Sequence, residues 1–446
     1  MISGPMSNAP QPAPSIVVPP IKFVADGPTE AVRAANLEAV LPAPGFPTMA
    51  LVVADALVKR ADVVLLDYTV NGVGVRYQID GIWHQLPAID KEAGDFMLAA
   101  LKRLANLNLE ERRARQQGQF TAEFLKKRFR CRLISQGVAT GERVAIYTER
   151  KKPPTDTWEE CGMRPGLVEK AKLLLQRSHG FFLVSGLPGD GFTTAWRAAL
   201  NATDRFMRDY FVLEDEHQRE PEVINVISMT YDRKAGQDPT SVLPRLLLRE
   251  PHAVALNDLV NGRVIDTFCD LANRDDKQIV GRIHAKNCID AVLRVLALKP
   301  TFDKFATALM GVVCHRLIRK LCDQCKRPYQ PAPQLLAQLG LPPGRVATMY
   351  EKFEPRPEEL VDEQGRPISY EPCTLCGGVG FMERTGIFEL LVVNDAFRDA
   401  IRSDPRPEHL MEVARESGFV TMREEGILLA AKGIVSVDEL RRVLSK

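Results

Sequence analysis

A short apolar run, Phe181–Ser185 (FFLVS), breaks into a glycine-rich turn, GLPGDGFTT (Gly186–Thr194), and the turn opens a stretch with helical spacing. This strand–loop–helix order constrains the fold more than any other feature of the chain. Strands that are apolar throughout belong to sheets covered on both faces. A loop of glycines leading into a helix offers backbone N–H groups and the positive helix end to an anion. The pattern is close to G-x-x-x-x-G-K-[ST], which cradles phosphates. Gly186, Gly189 and Gly191 stand in place, Thr193 sits where a hydroxyl reaches a magnesium ion, and Thr194 follows. Phe192 occupies the lysine position. An ammonium about 4 Å from a phosphate contributes roughly 4 kcal/mol of attraction at an effective dielectric near 20, and that is lost. Asp190 adds a negative charge inside the cradle. Arg197 lies five positions past Phe192, on another face of the helix, and is a poor substitute. Taken alone, the segment also reads as a plain glycine turn.

Around this loop the elements alternate. LVEKAKLLLQRSHG precedes it as an amphipathic helix, TTAWRAALNATDRFM follows as another, and YFVLED, HAVALND and QIVGRIH read as further strands with helices between. Such alternation gives a parallel sheet with helices on both faces. Upstream, Met49–Ala61 has helical spacing, VVLLDY reads as a strand, and Gly72–Leu86 alternates like a hairpin turned at Asp80-Gly81. A helix around Asp95–Leu107 and the basic stretch Lys126–Arg132 (KKRFRCR) complete a smaller α/β unit. The division expected is a disordered Pro/Ala-rich arm over 1–45, with a short helix around Glu30–Val40. An N-terminal domain over 46–148, a polar linker over 149–160 and the phosphate-loop domain over 161–446 follow.

Composition narrows the class. With 446 residues, 45% apolar and 26% charged, the chain can bury more than one core. It has no apolar run long enough to span a membrane and no secretory leader pattern, so a cytoplasmic protein is expected. A net charge of +2 argues neither for nor against a nucleic-acid partner, and none is expected. KKRFRCR interleaves basic and aromatic residues, yet such a run reads more simply as a solvated face. Nine cysteines are too few for a disulfide scaffold in a chain this long. Four of them, Cys322, Cys325, Cys373 and Cys376, form two C-x-x-C pairs. Each pair can present two thiolates to one tetrahedral zinc, and a redox dithiol is the rival reading. Arg319, Lys320, Lys326 and Arg327 would favour thiolates. Cys131, Cys161, Cys269, Cys288 and Cys314 read as buried small side chains, and Trp83, Trp158 and Trp196 as packing residues.

Several separate segments resemble one family, the type II secretion and type IV pilus assembly ATPases of the GspE/PilB group. VRYQIDG (Val75–Gly81) is similar to V-R-Y-R-I-D-G, LEERRARQQGQ to I-A-E-K-R-L-P-Q-D-G-R, and Gly141-Glu142-Arg143 to G-E-K. IHAKNCIDAVLRVL (Ile283–Leu296) resembles the histidine box L-H-T-N-D-A. GVVCHRLIRKLCDQC (Gly311–Cys325) and CTLCGGVGFMERTGIFELL (Cys373–Leu391) match the zinc-bearing part. The resemblance implies a RecA-like P-loop NTPase core with a parallel sheet, preceded by a smaller α/β, PAS-like N-terminal domain. It also implies a tetracysteine zinc subdomain over about 319–385 and C-terminal helices over about 386–446.

The same resemblance implies a hexameric, ATP- and magnesium-using motor under a pilus or pseudopilus, peripheral at the inner membrane through a platform protein. It places catalytic positions at Glu214, Asp215, Asp258 and His284, and nucleotide contacts at the loop and at Arg76 and Arg113. Departures fall on those positions. The acidic box E-D-P-[IV]-E reads EDEHQ and ends in Gln218. The second acidic motif reads EPHAVALNDLVN, with Asp258 for glutamate and Val260 for arginine, and the arginines expected at Gln78, Gln119 and Tyr147 are absent. A catalytically impaired, pseudo-ATPase structural or regulatory subunit, able to mix with an active paralogue in one ring, is therefore expected. The alternative is an active motor with a divergent loop, and a zinc-bearing nucleic-acid adaptor is a distant third.

Overall fold

Two patterns of apolar residues, one alternating and one continuous, become two sheets. The computed structural model describes residues 20–149, 155–362, 364–368 and 371–445. Contacts divide the chain into one unit of Met1–Lys152 with Leu360–Val379 and another of Pro153–Glu359 with Gly380–Lys446.

The first unit runs β1 (Ile21–Val24), α1 (Glu30–Val40), α2 (Phe46–Val58), β2 (Val63–Thr69), β3 (Gly72–Ile79), β4 (Ile82–Ile89), α3 (Lys91–Leu104), β5 (Gln116–Phe124), β6 (Lys127–Val138) and β7 (Gly141–Glu149). The strands form an antiparallel sheet ordered β1-β5-β6-β7-β2-β3-β4. Alternation buries Val73, Val75, Tyr77 and Ile79 of β3 in one core with Met49 and Val53 of α2 and Met97 and Leu101 of α3. Asp80 and Gly81 make the expected turn, both with positive φ (49° and 82°). In KKRFRCR, Lys127, Arg128, Arg130 and Arg132 face solvent while Cys131 is buried, the alternation of a half-solvated strand.

Residues 20–45 depart from the disordered arm expected of them. β1 pairs with β5, and Ile21 and Phe23 are buried. Two apolar side chains at period two suffice to dock an edge strand, a signal that Pro/Ala content obscures. The helix expected near Glu30–Val40 forms, capped by the Thr29 hydroxyl. Residues 1–19 of the arm lie outside the described residues. So do 150–154 of the expected linker, whereas Trp158 within it is fully buried, edge-on to Phe388 at 5.6 Å.

The second unit contains α4 (Pro165–Leu175), β8 (Gly180–Gly186), α5 (Phe192–Asn201), β9 (Tyr210–Asp215), β10 (Val226–Tyr231), α6 (Leu243–Leu247), β11 (Ala253–Leu256), α7 (Gly262–Arg274), β12 (Gln278–His284) and α8 (Cys288–Ala297). β13 (Leu309–Leu321), β14 (Arg327–Tyr329), β15 (Met349–Glu351) and β16 (Phe381–Val392) come next, and helices fill most of Asp395–Leu444. The main sheet is ordered β10-β9-β11-β12-β8-β13-β16. It is parallel except for β16, which pairs antiparallel with β13. Successive residues of β8 serve opposite cores. Phe181 and Leu183 meet α7 and α8 on one face, and Phe182 and Val184 meet α4 and α5 on the other. Both faces being covered explains why the strands are apolar throughout. The carboxyl ends of β8, β9, β11 and β12 then share one edge, where α/β folds place their ligands. Among the described residues no helix is long and apolar enough to cross a membrane.

Candidate functional site at the phosphate loop

β8 ends at Gly186, where a Cβ would stand 2.6 Å from the His315 ring. Gly191 takes a left-handed conformation (φ 79°) to start α5, and no side chain caps that helix. The first-turn amides of Phe192, Thr193 and Thr194 therefore have no intrahelical partner. The loop can thus attract an anion through its backbone alone.

Phe192 does not swing free. Its ring is buried, centred 4.7 Å from the His284 ring and 6.2 Å from that of His315. The Arg282 guanidinium lies 5.3 Å from the Phe192 ring centre and 5.6 Å from that of Trp196. Arg282 also pairs with Glu220 and donates to the Asn257 carbonyl at 2.8 Å. His315 lies beneath the loop with Nδ1 3.0 Å from the Ser185 carbonyl and Nε2 3.0 Å from that of Asp190. Burial draws its pKa below the ordinary 6.5 despite those carbonyls. Arg197 is held by Asp156, away from any role as a replacement cation.

The acids end the neighbouring strands. Glu214 is buried and accepts from Ser228 Oγ at 2.5 Å, Asn257 Nδ2 at 3.0 Å and the Glu220 amide at 3.0 Å. Asp215 accepts from the His217 amide at 3.2 Å. Asp258, past β11, pairs with Arg233 at 2.5 Å. His284 ends β12, its Nδ1 3.2 Å from the Gly186 carbonyl. A cleft of about 500 Å³ brings together Phe192, Asp215, Gln218, Asp258, Arg282 and His284. Asn257 lines it too, and its Oδ1 is buried without a partner among the described residues. Of the predicted positions in this unit, the buried Glu214 and the loop residues Gly186, Gly189, Asp190, Gly191, Thr193 and Thr194 are not part of its lining. Arg76 and Arg113 belong to the first unit. There Asp67 holds Arg76 at 2.5 Å, and Trp83, expected to be a packing residue, is half exposed with its ring 5.8 Å from that guanidinium.

Sequence reasoning missed Arg282, Asn257 and Arg233. Asn257 had a signal, since it replaces the glycine of the second acidic motif. Arg282 had one too, as a cation next to the apolar run of QIVGRIH.

Each C-x-x-C pair turns tightly. The Lys326 amide donates to the Cys322 carbonyl at 2.9 Å, and the Gly377 amide to the Cys373 carbonyl at 2.8 Å. Gly377 and Gly378 supply positive φ (65° and 79°) after Cys376. The sulfurs of Cys322, Cys325, Cys373 and Cys376 all lie within 4.8 Å of one another and could hold a metal ion. The nearby cations expected to favour thiolates are engaged elsewhere: Arg319 by Glu439, Lys320 by Glu383, Lys326 by Asp323 and Arg327 by Glu359. Of the remaining cysteines Cys161 is half-buried and the other four are buried. Burial, helped by nearby acids, pushes the Cys161 thiol up to about 12.

A parallel sheet with a glycine loop between β8 and α5, and acids at the adjoining strand ends, defines a P-loop NTPase fold. The kind is more specific than that. Residues 42–442 match the type II/IV secretion system protein family, and the chain belongs to it. It is 25% identical over 391 residues to the type IV pilus assembly ATPase PilB of Thermus thermophilus, covering 87% of this chain but only 42% of that relative. It is 26% identical over 389 residues to the protein transport protein HofB homolog of Escherichia coli, covering 87% of this chain and 79% of that one. In fold it is similar to the ATPase DotB of Legionella pneumophila, with a TM-score of 0.52 at 11% identity over 90% of this chain and 96% of the other.

Proposed function

We propose that this chain is a structural or regulatory subunit of a type II secretion or type IV pilus-type assembly machine, with ATP hydrolysis lost or strongly weakened. The observation that carries the reading is the Phe192 ring, lodged between two imidazoles and a guanidinium where a lysine should meet phosphate. Asp258 reinforces it, being one methylene shorter than the glutamate of the motif and already ion-paired to Arg233. A displacement of about 1 Å can cost a hundredfold in positioned chemistry. The subunit would act in a homo- or hetero-hexamer at the cytoplasmic face of the inner membrane, beside a platform protein and an active paralogue. No nucleic-acid partner is part of this reading.

Arg282 favours a second reading, a working ATPase with divergent loop chemistry. Its cation lines the cleft and could take over part of the missing lysine's role. Calorimetry and phosphate release on the full chain with magnesium and ATP separate the two. The first expects no tight binding and no turnover above background, unchanged by Asp258→Ala. Turnover abolished by both Asp258→Ala and Arg282→Ala would establish the second.

For the cysteines we propose structural zinc. Thiolates at about 2.3 Å from a tetrahedral ion stand about 3.8 Å apart, within the clustering observed. Bound there, the ion would cross-link the two turns and supply no chemistry to the phosphate cleft.

A further inference from the structure

A second cleft, of about 650 Å³, lies wholly within the first unit, and of the positions that the family resemblance assigns to nucleotide only Arg113 lines it. Two of its lining residues each carry a polar atom that no described residue satisfies. Tyr68 Oη and Glu142 Oε2 are buried without a hydrogen-bond partner among the described residues, on side chains only 7% and 5% exposed. The other carboxylate oxygen of Glu142 is committed, to Lys102 Nζ at 2.6 Å and to the Ser135 hydroxyl, so the orientation of Oε2 is fixed. Asp95 lines the same cleft, and its charge and that of Glu142 both act on the Tyr68 hydroxyl. Lys91, Arg112 and Arg113 border it, all exposed and none in an ion pair among the described residues. Val73 and Leu98 form apolar wall between.

Buried polar atoms are normally paired, and two orphans on residues that line one cleft point to an absent partner. An ionised carboxylate only accepts, so that partner must donate through N–H or O–H. Two carboxylates and three cations outside any ion pair among the described residues line one cleft, and together they complement a molecule carrying both charges. We propose that the cleft lined by Tyr68, Asp95, Glu142, Lys91, Arg112 and Arg113 binds a small zwitterion. Its ammonium would sit against the acids and its carboxylate or phosphate against the cations. A volume of this size suits a metabolite rather than a peptide.

Thermal unfolding of the full chain provides the test, with each standard L-amino acid, O-phosphoethanolamine, inorganic phosphate and ethylamine as separate probes at millimolar concentration. At least one zwitterion should raise the unfolding temperature, an amino acid marking a carboxylate ligand and O-phosphoethanolamine a phosphate one. Phosphate and ethylamine alone should not match it. Tyr68→Phe should weaken the zwitterion about tenfold by calorimetry. It should leave the ligand-free unfolding temperature unchanged, because that hydroxyl has no partner to lose. Arg113→Gln should weaken binding as well. No response to any zwitterion would overturn the proposal and leave water as the occupant. An equal response to phosphate alone, or a Tyr68→Phe variant unstable without ligand, would overturn it too.

Discussion

Phe192 is fixed by His284, His315 and Arg282, so replacing it alters packing and charge together. Phe192→Lys returns an ammonium to the loop, and Phe192→Leu removes the ring without adding charge. The lysine variant should bind magnesium–ATP at least tenfold more tightly than the leucine variant, a gain held below the full electrostatic term by repulsion from Arg282. Both should lose about 1–3 kcal/mol of stability, measured by denaturant unfolding. Equal affinities for the two variants would remove charge as the explanation of weak binding. At this scale the sequence exposed the loop glycines and the odd phenylalanine, because their spacing is local. It concealed the partners of Phe192, since Arg282 and His315 reach it from β12 and β13, and strand order is not written in residue spacing.

Among the elements, β13 carries a buried ion pair with a pH signature. Arg319 donates to Glu439 through Nε at 3.0 Å and Nη2 at 2.7 Å, and its guanidinium stacks 3.9 Å from the Phe381 ring centre. Burial pushes the Glu439 carboxyl upward, but its bonds to Arg442 and Arg319 outweigh that and hold it at about 2 instead of 4.5. A lowered carboxyl pKa stabilises the fold above the unfolded value and ceases to do so as pH falls through the folded one. The span from 4.5 to about 2 corresponds to about 3 kcal/mol. Wild-type stability should therefore decline by about that amount across this window, while Glu439→Gln starts lower at neutral pH and lacks that component. Superimposable acid-unfolding curves for the two proteins would refute the assignment. The cysteine turns make a second prediction at this scale. One zinc per chain, measured by elemental analysis, should disappear in the Cys322→Ser, Cys373→Ser double variant, and a metal-free, well-folded wild type would defeat the site. The sequence revealed the cysteine turns because each needs only a four-residue pattern. It did not reveal β1 or the β5–β7 strands, whose apolar residues sit among charges and whose pairing is with distant segments.

Over the whole molecule, length and apolar content foretell more than one core, and among the described residues three form without a shared residue, one in the first unit and one on each face of the second unit's sheet. Leu66 lies fully buried with Met49, Tyr77 and Leu101 in the first unit, and Phe268 with Leu183, Leu256 and Val292 in the second. The interruption near 150, where polar residues and prolines break the apolar pattern, was legible. The grouping of Leu360–Val379 with the first unit was not, because that grouping depends on contacts far apart in sequence. Separate cores have an energetic consequence. Leu66→Ala should cost about 2–5 kcal/mol and Phe268→Ala about 3–5 kcal/mol, each within the unit that holds the cavity. Calorimetry of the full chain should then show Leu66→Ala lowering one transition and Phe268→Ala another. If both variants instead shift a single transition by comparable amounts, the cores unfold as one cooperative body, and a cavity in either unit is felt by both.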